Sequence, residues 1–139
     1  EYARSQTRRS WDLRRELSKL NYQLHTDSIK EHIIPRIQHF QIQIPDWSIY
    51  AAEADLINLA AFGMTAKQWR ETNPDLATRG NIRDFADHDQ LHVLLNLESL
   101  NSALIEQGLD KDRRFSILSQ HSLSQYRRLA ENNNLKRLE

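Results

Sequence analysis

The stretch EADLINLAAFGMTAKQWRETNPDL, residues 53–76, decides the fold. Its apolar run over residues 56–62 ends at Gly63, which lacks a β-carbon and therefore suits the tight turn that follows a helix. Thr65 and Gln68 have the spacing of a capping box, in which a hydroxyl and a side-chain amide exchange hydrogen bonds with the backbone. The pattern predicts one helix, a short turn and the start of a second helix.

The second helix ends where Asn73 precedes Pro74, because the residue before a proline disfavours helical backbone. We therefore predict a helical hairpin over residues 51–73. A helix-turn-helix that binds DNA has the same layout, so direct DNA binding is an alternative prediction. We favour a plain packed hairpin, because such hairpins are far more common. In the alternative, the nucleic-acid contacts are Lys67, Gln68 and Arg70.

Four stretches carry a resemblance to a known family. Besides residues 53–76, they are LRRELSKLNYQLHTDSIKEHIIP from Leu13, GNIRDFA from Gly80 and LLNLESLNSALIEQGL from Leu94. In this order they resemble the region that follows the KilA-N DNA-binding domain in a group of bacterial and phage proteins. Because the chain opens at Glu1, we expect the KilA-N domain itself to lie outside it. The resemblance implies a DNA-associated protein, of a regulator or anti-repressor type, and supplies no catalytic motif.

Composition predicts a single soluble domain that is mainly α-helical. The chain has 139 residues, of which 39% are hydrophobic and 27% charged, with only three glycines and three prolines. The absence of cysteine excludes disulfides and cysteine zinc sites. No apolar run reaches the ~18 residues that span a membrane, and no signal-peptide pattern opens the chain. We therefore expect a cytoplasmic setting and no membrane partner.

Charge balance bears on nucleic-acid binding. Nineteen basic residues balance nineteen acidic ones, whereas a protein that binds nucleic acid by itself usually carries a basic excess. We therefore expect contact with DNA through the full-length protein rather than through this chain alone.

The pattern of apolar residues predicts about five helices. A long N-terminal helix over residues 1–34 should end at Pro35. In the connection over residues 35–50, alternating apolar residues predict at most one short strand, at residues 40–44. The alternatives are an extended loop on the helices, or a strand that pairs with the same strand of a second copy. A helix over residues 88–107 is apolar almost all round, which is typical of a buried central helix, and Gly108 is its expected C-cap. Asp110 is the expected N-cap of a last helix over residues 110–131.

The N-terminal helix carries two apolar stripes. One has the helical spacings 4, 3 and 4 and consists of Leu13, Leu17, Leu20 and Leu24. The other lies on the opposite side and consists of Trp11, Tyr22, Ile29 and Ile33. We predict that it mediates self-association as a homodimer or is buried in the chain's own fold, with a break of the helix near residues 25–28 as a third alternative.

Basic residues flank the aromatic part of the second stripe, and they could follow a phosphate backbone. A solvated charged edge is the interpretation we favour, because Asp12 and Glu16 supply nearby counter-charge. The candidate phosphate contacts are Arg4, Arg8, Arg15 and Lys19.

Histidines provide the sharpest enzymatic hypothesis. His88 and His92 are four residues apart on one helix, a spacing that lets two imidazoles share a metal. If a second polar group around His25 joined them, the site would suit a metal-dependent hydrolase. Neither group matches a full motif, so we predict a chain that is not an enzyme and binds no metal or cofactor. The favoured interpretation is a non-enzymatic helical module beside a KilA-N-like domain.

Overall fold

The helix that begins at His88 lies at the centre of the structure. The computed structural model describes the backbone of residues 2–138 and the side chains of residues 8–134, except that of Trp11. A mainly α-helical single domain is confirmed. In chain order, its elements are α1 (Tyr2–Ser28), a π-helical turn (Ile29–Ile33), α2 (Ile34–His39), α3 (Asp46–Phe62), α4 (Ala66–Thr72), α5 (Pro74–Ala77), α6 (His88–Glu106) and α7 (Lys111–Leu138).

Helix α6 is surrounded by α1, α3 and α7, and its buried side chains form the middle of the core. The larger cluster of buried apolar residues joins α3, α6 and α7; it consists of Leu56, Ile57, Ala61, Val93, Leu94, Leu97, Leu104 and Leu118. A smaller cluster joins the π-helical turn, α2, α3 and the end of α6; it consists of Ile29, Ile34, Ile49 and Ile105.

The hairpin of α3 and α4 has the caps that its sequence predicts. Gly63 is left-handed, with φ 76°, and its N–H donates to the Leu59 carbonyl at 3.0 Å. The Thr65 hydroxyl accepts from the N–H of Gln68 at 3.1 Å, and the Gln68 side chain accepts from the N–H of Thr65 at 2.9 Å. The capping box is therefore confirmed. Trp69 is buried and stacks on Phe85 with 5.7 Å between ring centroids.

The prediction that the first helix ends at Pro35 is wrong. Instead the helix changes to π-helical geometry, in which the N–H of Ile34 donates to the carbonyl of Ile29, and then continues as α2. Pro35 lies in the first turn of α2. A proline is tolerated there because the N–H groups of a first turn need no helical partner. The wider π-helical turn therefore carries the chain past the proline.

The predicted strand at residues 40–44 is absent, as is any other strand within residues 2–138. Helix α2 ends in a Schellman motif. The N–H of Gln41 donates to the carbonyl of Gln38, and the N–H of Ile42 donates to the carbonyl of Ile37. Gln41 is left-handed, with φ 57°. The described residues provide no second strand with which this segment could pair. Its alternating apolar side chains, those of Phe40, Ile42 and Ile44, are exposed.

We predict that Gly63→Ala lowers the free energy of unfolding by about 1 kcal/mol. A β-carbon at Gly63 would meet no atom within 4 Å, so the cost comes from the left-handed backbone alone. Urea denaturation measures the effect, with Gly63→Asn as the control, because asparagine tolerates this conformation. An alanine variant as stable as the parent would contradict this account of the turn.

Removal of the cap should have a similar effect. Thr65→Ala deletes the oxygen that accepts from the N–H of Gln68 and should cost about 1 kcal/mol, whereas Thr65→Ser keeps an acceptor and should cost less. Equal losses in the two variants would show that the hydroxyl does not stabilise the helix start.

Candidate functional site

A buried ion pair joins α3 to α7. The carboxylate of Glu53 accepts from both terminal nitrogens of the Arg114 guanidinium, at 2.7 and 2.8 Å. Both side chains are only 4–5% exposed. The Nε of Arg114 also donates to the Leu109 carbonyl at 3.1 Å. This two-pronged geometry satisfies a charged pair that would otherwise be costly to bury.

The same arginine extends the network to α6 and α1. Arg114 Nη1 donates to Asn101 Oδ1 at 3.0 Å, which leaves the Asn101 amide nitrogen to donate to His25 Nε2 at 2.8 Å. That acceptor role requires a His25 ring without a proton on Nε2. Burial lowers the pKa of His25 below its ordinary 6.5, and this effect exceeds the opposing pull of the Glu98 and Glu53 carboxylates.

A second buried carboxylate, Glu98 of α6, holds α1 about one to two turns before His25. Arg83 donates to it through both terminal nitrogens, at 2.9 and 2.6 Å, and through Nε to the Ser18 hydroxyl at 2.6 Å. The Asn21 amide of α1 donates to the Leu95 carbonyl at 2.8 Å and to Glu98 at 3.3 Å. Among the described side chains, no buried nitrogen or oxygen lacks a hydrogen-bond partner.

The loop that carries Arg83 is held in a tight conformation. The Asp84 carboxylate accepts from the N–H of Asn81 at 2.9 Å, and a β-carbon at Gly80 would lie 2.7 Å from that carboxylate. A side chain at position 80 would therefore displace the Asp84 carboxylate from this hydrogen bond. The loop thereby places the Arg83 guanidinium between α1 and α6.

Helix α1 therefore packs on α6 through polar side chains, which we call the polar seam: Ser18, Asn21 and His25. As a result, its apolar side faces outward. The leucine stripe, formed by Leu13, Leu17, Leu20 and Leu24, is 49–57% exposed at every position. An exposed apolar patch of this kind typically marks an interaction surface.

The stripe predicted to mediate self-association is divided by the structure. Ile29 is buried in the chain's own core, and Ile33 packs against the same cluster. Tyr22 is exposed, and the Arg83 guanidinium lies over its ring, with 5.5 Å between Arg83 Cζ and the ring centroid. Trp11 lies outside the described side chains. Among the described side chains of α1, the exposed large apolar ones apart from Tyr22 are therefore those of the leucine stripe.

The candidate phosphate contacts on α1 lie on its solvent side. Arg8, Arg15 and Lys19 are exposed, whereas the side chain of Arg4 is outside the described part of the chain. Arg15 and Lys19 line a cleft of about 530 Å³ between α1 and the connection before α6. The structure thus brings two of the four predicted residues to one cavity.

The candidate DNA contacts on α4 are also exposed, but they are not equally available. Lys67 and Arg70 face solvent. The Gln68 side chain accepts from the N–H of Thr65 and is part of the cap. Helix α4 has only seven residues. The exposed basic face of the hairpin therefore consists of two side chains.

The histidines do not assemble as the hydrolase hypothesis requires. His88 is exposed and lies 3.9 Å from Asp89, while His92 contacts Asn96 at 3.2 Å. His25 is buried in the polar seam. Among the described residues, no three His, Asp or Glu side chains form a group that could hold a metal ion.

The buried network was missed by sequence reasoning, although a signal for it exists. Glu53 lies at helical spacing among buried apolar residues of α3, between Ile49 and Leu56. Glu98 likewise lies between Leu94 and Asn101 on the inner face of α6. A carboxylate on an otherwise apolar helix face predicts a buried basic partner. The identity of that partner is set by tertiary packing.

Comparisons with known proteins provide no relative: no family model, no curated protein and no solved structure matches the chain. In the part of the chain that the structure describes, no helix is long and apolar enough to cross a membrane.

The neutral state of His25 predicts a pH dependence of stability. The pKa of His25 is lower in the folded chain than in the unfolded chain. As pH falls through about 6.5, the unfolded chain therefore binds more protons than the folded chain does. The free energy of unfolding should decrease as a result, by at most about 1.4 kcal/mol per pH unit. The groups around His25 are Glu98, Glu53, Arg114 and Arg83.

Urea denaturation between pH ~7.5 and ~5.5 measures this dependence. The control is His25→Gln, which retains an acceptor for Asn101 but cannot titrate, and which should show a shallower pH dependence than the parent. Identical dependences would mean that His25 does not contribute.

Proposed function

We propose that this chain is a non-enzymatic self-association module of a DNA-associated bacterial or phage protein. The observation that carries self-association is the leucine stripe, whose four side chains remain about half exposed, whereas the apolar clusters that join α3, α6 and α7 are buried. Burial of these leucines against a second copy removes apolar surface from water at no cost to the fold. A two-fold dimer, in which both copies use the same surface, is the simplest arrangement that achieves this.

The spacing of the stripe favours an antiparallel pair of α1 helices. The intervals 4, 3 and 4 read the same in both directions along the helix. In an antiparallel pair centred between Leu17 and Leu20, Leu17 faces Leu20 of the second copy and Leu13 faces Leu24. Every leucine then meets a leucine, as in the seam of a coiled coil.

Charge at the two ends of the stripe favours the same orientation. Arg9 lies four residues before Leu13, and Asp27 lies three residues after Leu24, so both extend the stripe at helical spacing. An antiparallel pair brings Arg9 of one copy close to Asp27 of the other. A parallel pair would instead place like charges together at both ends, which is unfavourable.

The DNA-associated part of the proposal is supported by the resemblance of four stretches to the region after KilA-N domains. The formal net charge of zero disfavours DNA binding by this chain alone, so the proposed contact with DNA is made through the full-length protein. Direct binding through the exposed Lys67 and Arg70 is the alternative.

We predict that the chain is a dimer at about 50 µM and that Leu17→Glu with Leu20→Glu makes it a monomer, because two carboxylates would enter the apolar seam. Both leucines are exposed within one chain, so the variant should fold normally. Sedimentation equilibrium measures the mass. The control is Leu123→Glu, at an exposed leucine on α7, which should remain dimeric.

A parent chain that is monomeric at this concentration would contradict self-association. Orientation can be tested separately, because the chain has no cysteine. Oxidation should cross-link a mixture of Leu13→Cys and Leu24→Cys chains more readily than either variant alone. Preferential cross-linking within each single variant would indicate a parallel pair.

For DNA, we predict weak binding of duplex by this chain at physiological salt. If the face of Lys67 and Arg70 binds phosphate, their double replacement by alanine should weaken binding and lower its salt dependence by about two charges. Fluorescence anisotropy measures both effects. The control replaces Lys111 and Arg113, an exposed pair outside the hairpin. Tight binding that only the first double variant abolishes would make the hairpin the DNA contact.

A further inference from the structure

Two cavities form a groove along the side of α1 that faces α3 and the loop before α6. The first, of about 530 Å³, lies toward the N-terminal part of α1, and the second, of about 280 Å³, lies between α1 and α3. They are adjacent, since both are lined by Tyr22, Asn81 and Arg83. Their combined size is that of a small-molecule site.

The first cavity is basic. Arg15 and Lys19 line it and are exposed, and within the described side chains neither forms an ion pair. The carboxylate in its lining is that of Asp84, which accepts from the N–H of Asn81. Arg83, at the boundary with the second cavity, is neutralised by Glu98. The two exposed cations therefore give this part of the groove an attraction for anions.

The second cavity is largely apolar and begins at an aromatic ring. Tyr22 is 55% exposed, and one face of its ring is covered by the Arg83 guanidinium. Beyond Tyr22 the lining includes the buried side chains of Ile29, Ile57 and Leu94. The amide of Asn58 provides a donor and an acceptor beside them. A planar ring with polar edges suits this environment.

The geometry points to a nucleotide as the ligand of this groove. Its phosphate binds between Arg15 and Lys19, and its base packs against the exposed ring of Tyr22 and enters the second cavity. Lys19 lies about one helical turn before Tyr22. The phosphate of a single nucleotide can therefore contact Lys19 while its base contacts Tyr22. The nucleotide is either free or one unit of a single strand, since both offer a phosphate beside a base.

This site is independent of the proposed dimer. At about 3.6 residues per turn, the residues of the groove lie on nearly the opposite side of α1 from the leucine stripe. Self-association through the stripe therefore leaves the groove open, and either proposal can fail without the other.

Isothermal titration calorimetry of the full chain with AMP, and with a single-stranded oligonucleotide of about 12 nucleotides, tests the site. We expect Tyr22→Ala and Lys19→Glu each to weaken binding about 10-fold or more, because the first removes the contact with the base and the second removes the contact with the phosphate. Tyr22→Phe retains the ring and should bind like the parent. The matched control for charge is Lys111→Glu, at an exposed lysine outside the groove.

Thermal melts verify that each variant is folded. Binding of AMP identifies a free nucleotide as a ligand, and binding of the oligonucleotide alone identifies a strand. The proposal is overturned if neither probe binds at millimolar concentration, if Tyr22→Ala binds as well as Tyr22→Phe, or if Lys111→Glu weakens binding as much as Lys19→Glu.

Discussion

The fold depends on the burial of Glu53 and Arg114 as a hydrogen-bonded pair. Each lies on the inner face of its helix and would be strongly destabilising there without the other. Their contact fixes α3 against α7, and the further bond from Arg114 to Asn101 draws in α6. The amide nitrogen of Asn101 donates in turn to Nε2 of His25 on α1. One charged contact thus sets the relative positions of four helices.

This network accounts for the orientation of α1. An amphipathic helix usually buries its apolar stripe, and the leucines of α1 are regularly spaced enough to do so. The seam toward α6 is polar instead, because Glu98 requires donors from Arg83 and Asn21. The leucine stripe therefore faces solvent, and the opposite side of the helix contributes to a groove. The same polar constraint underlies both proposed surfaces.

Local signals in the sequence predicted some parts of this architecture well. The turn at Gly63 and the capping box at Thr65 are determined by a few neighbouring residues, so their geometry follows from the sequence. The buried side chain of Trp69 points away from the exposed Lys67 and Arg70, as the period of a helix requires for neighbouring positions.

Features that depend on distant residues were not predictable in this way. Pro35 ends no helix, because the preceding residues form a π-helical turn. The alternation at Phe40, Ile42 and Ile44 forms no strand, because a strand needs a neighbouring edge. Which stripe of α1 faces outward depends on Glu98 and Arg83, whose pairing is not apparent from spacing.

A double-mutant cycle on Glu53 and Arg114 tests the role of the network most directly. The variants are Glu53→Leu, Arg114→Met and the two together, compared by urea denaturation. Each single change leaves a buried charge without its partner and should cost about 3–5 kcal/mol, whereas the double variant should cost less than the sum by about 2 kcal/mol or more. Losses that add to within about 0.5 kcal/mol would contradict a fold organised by this pair.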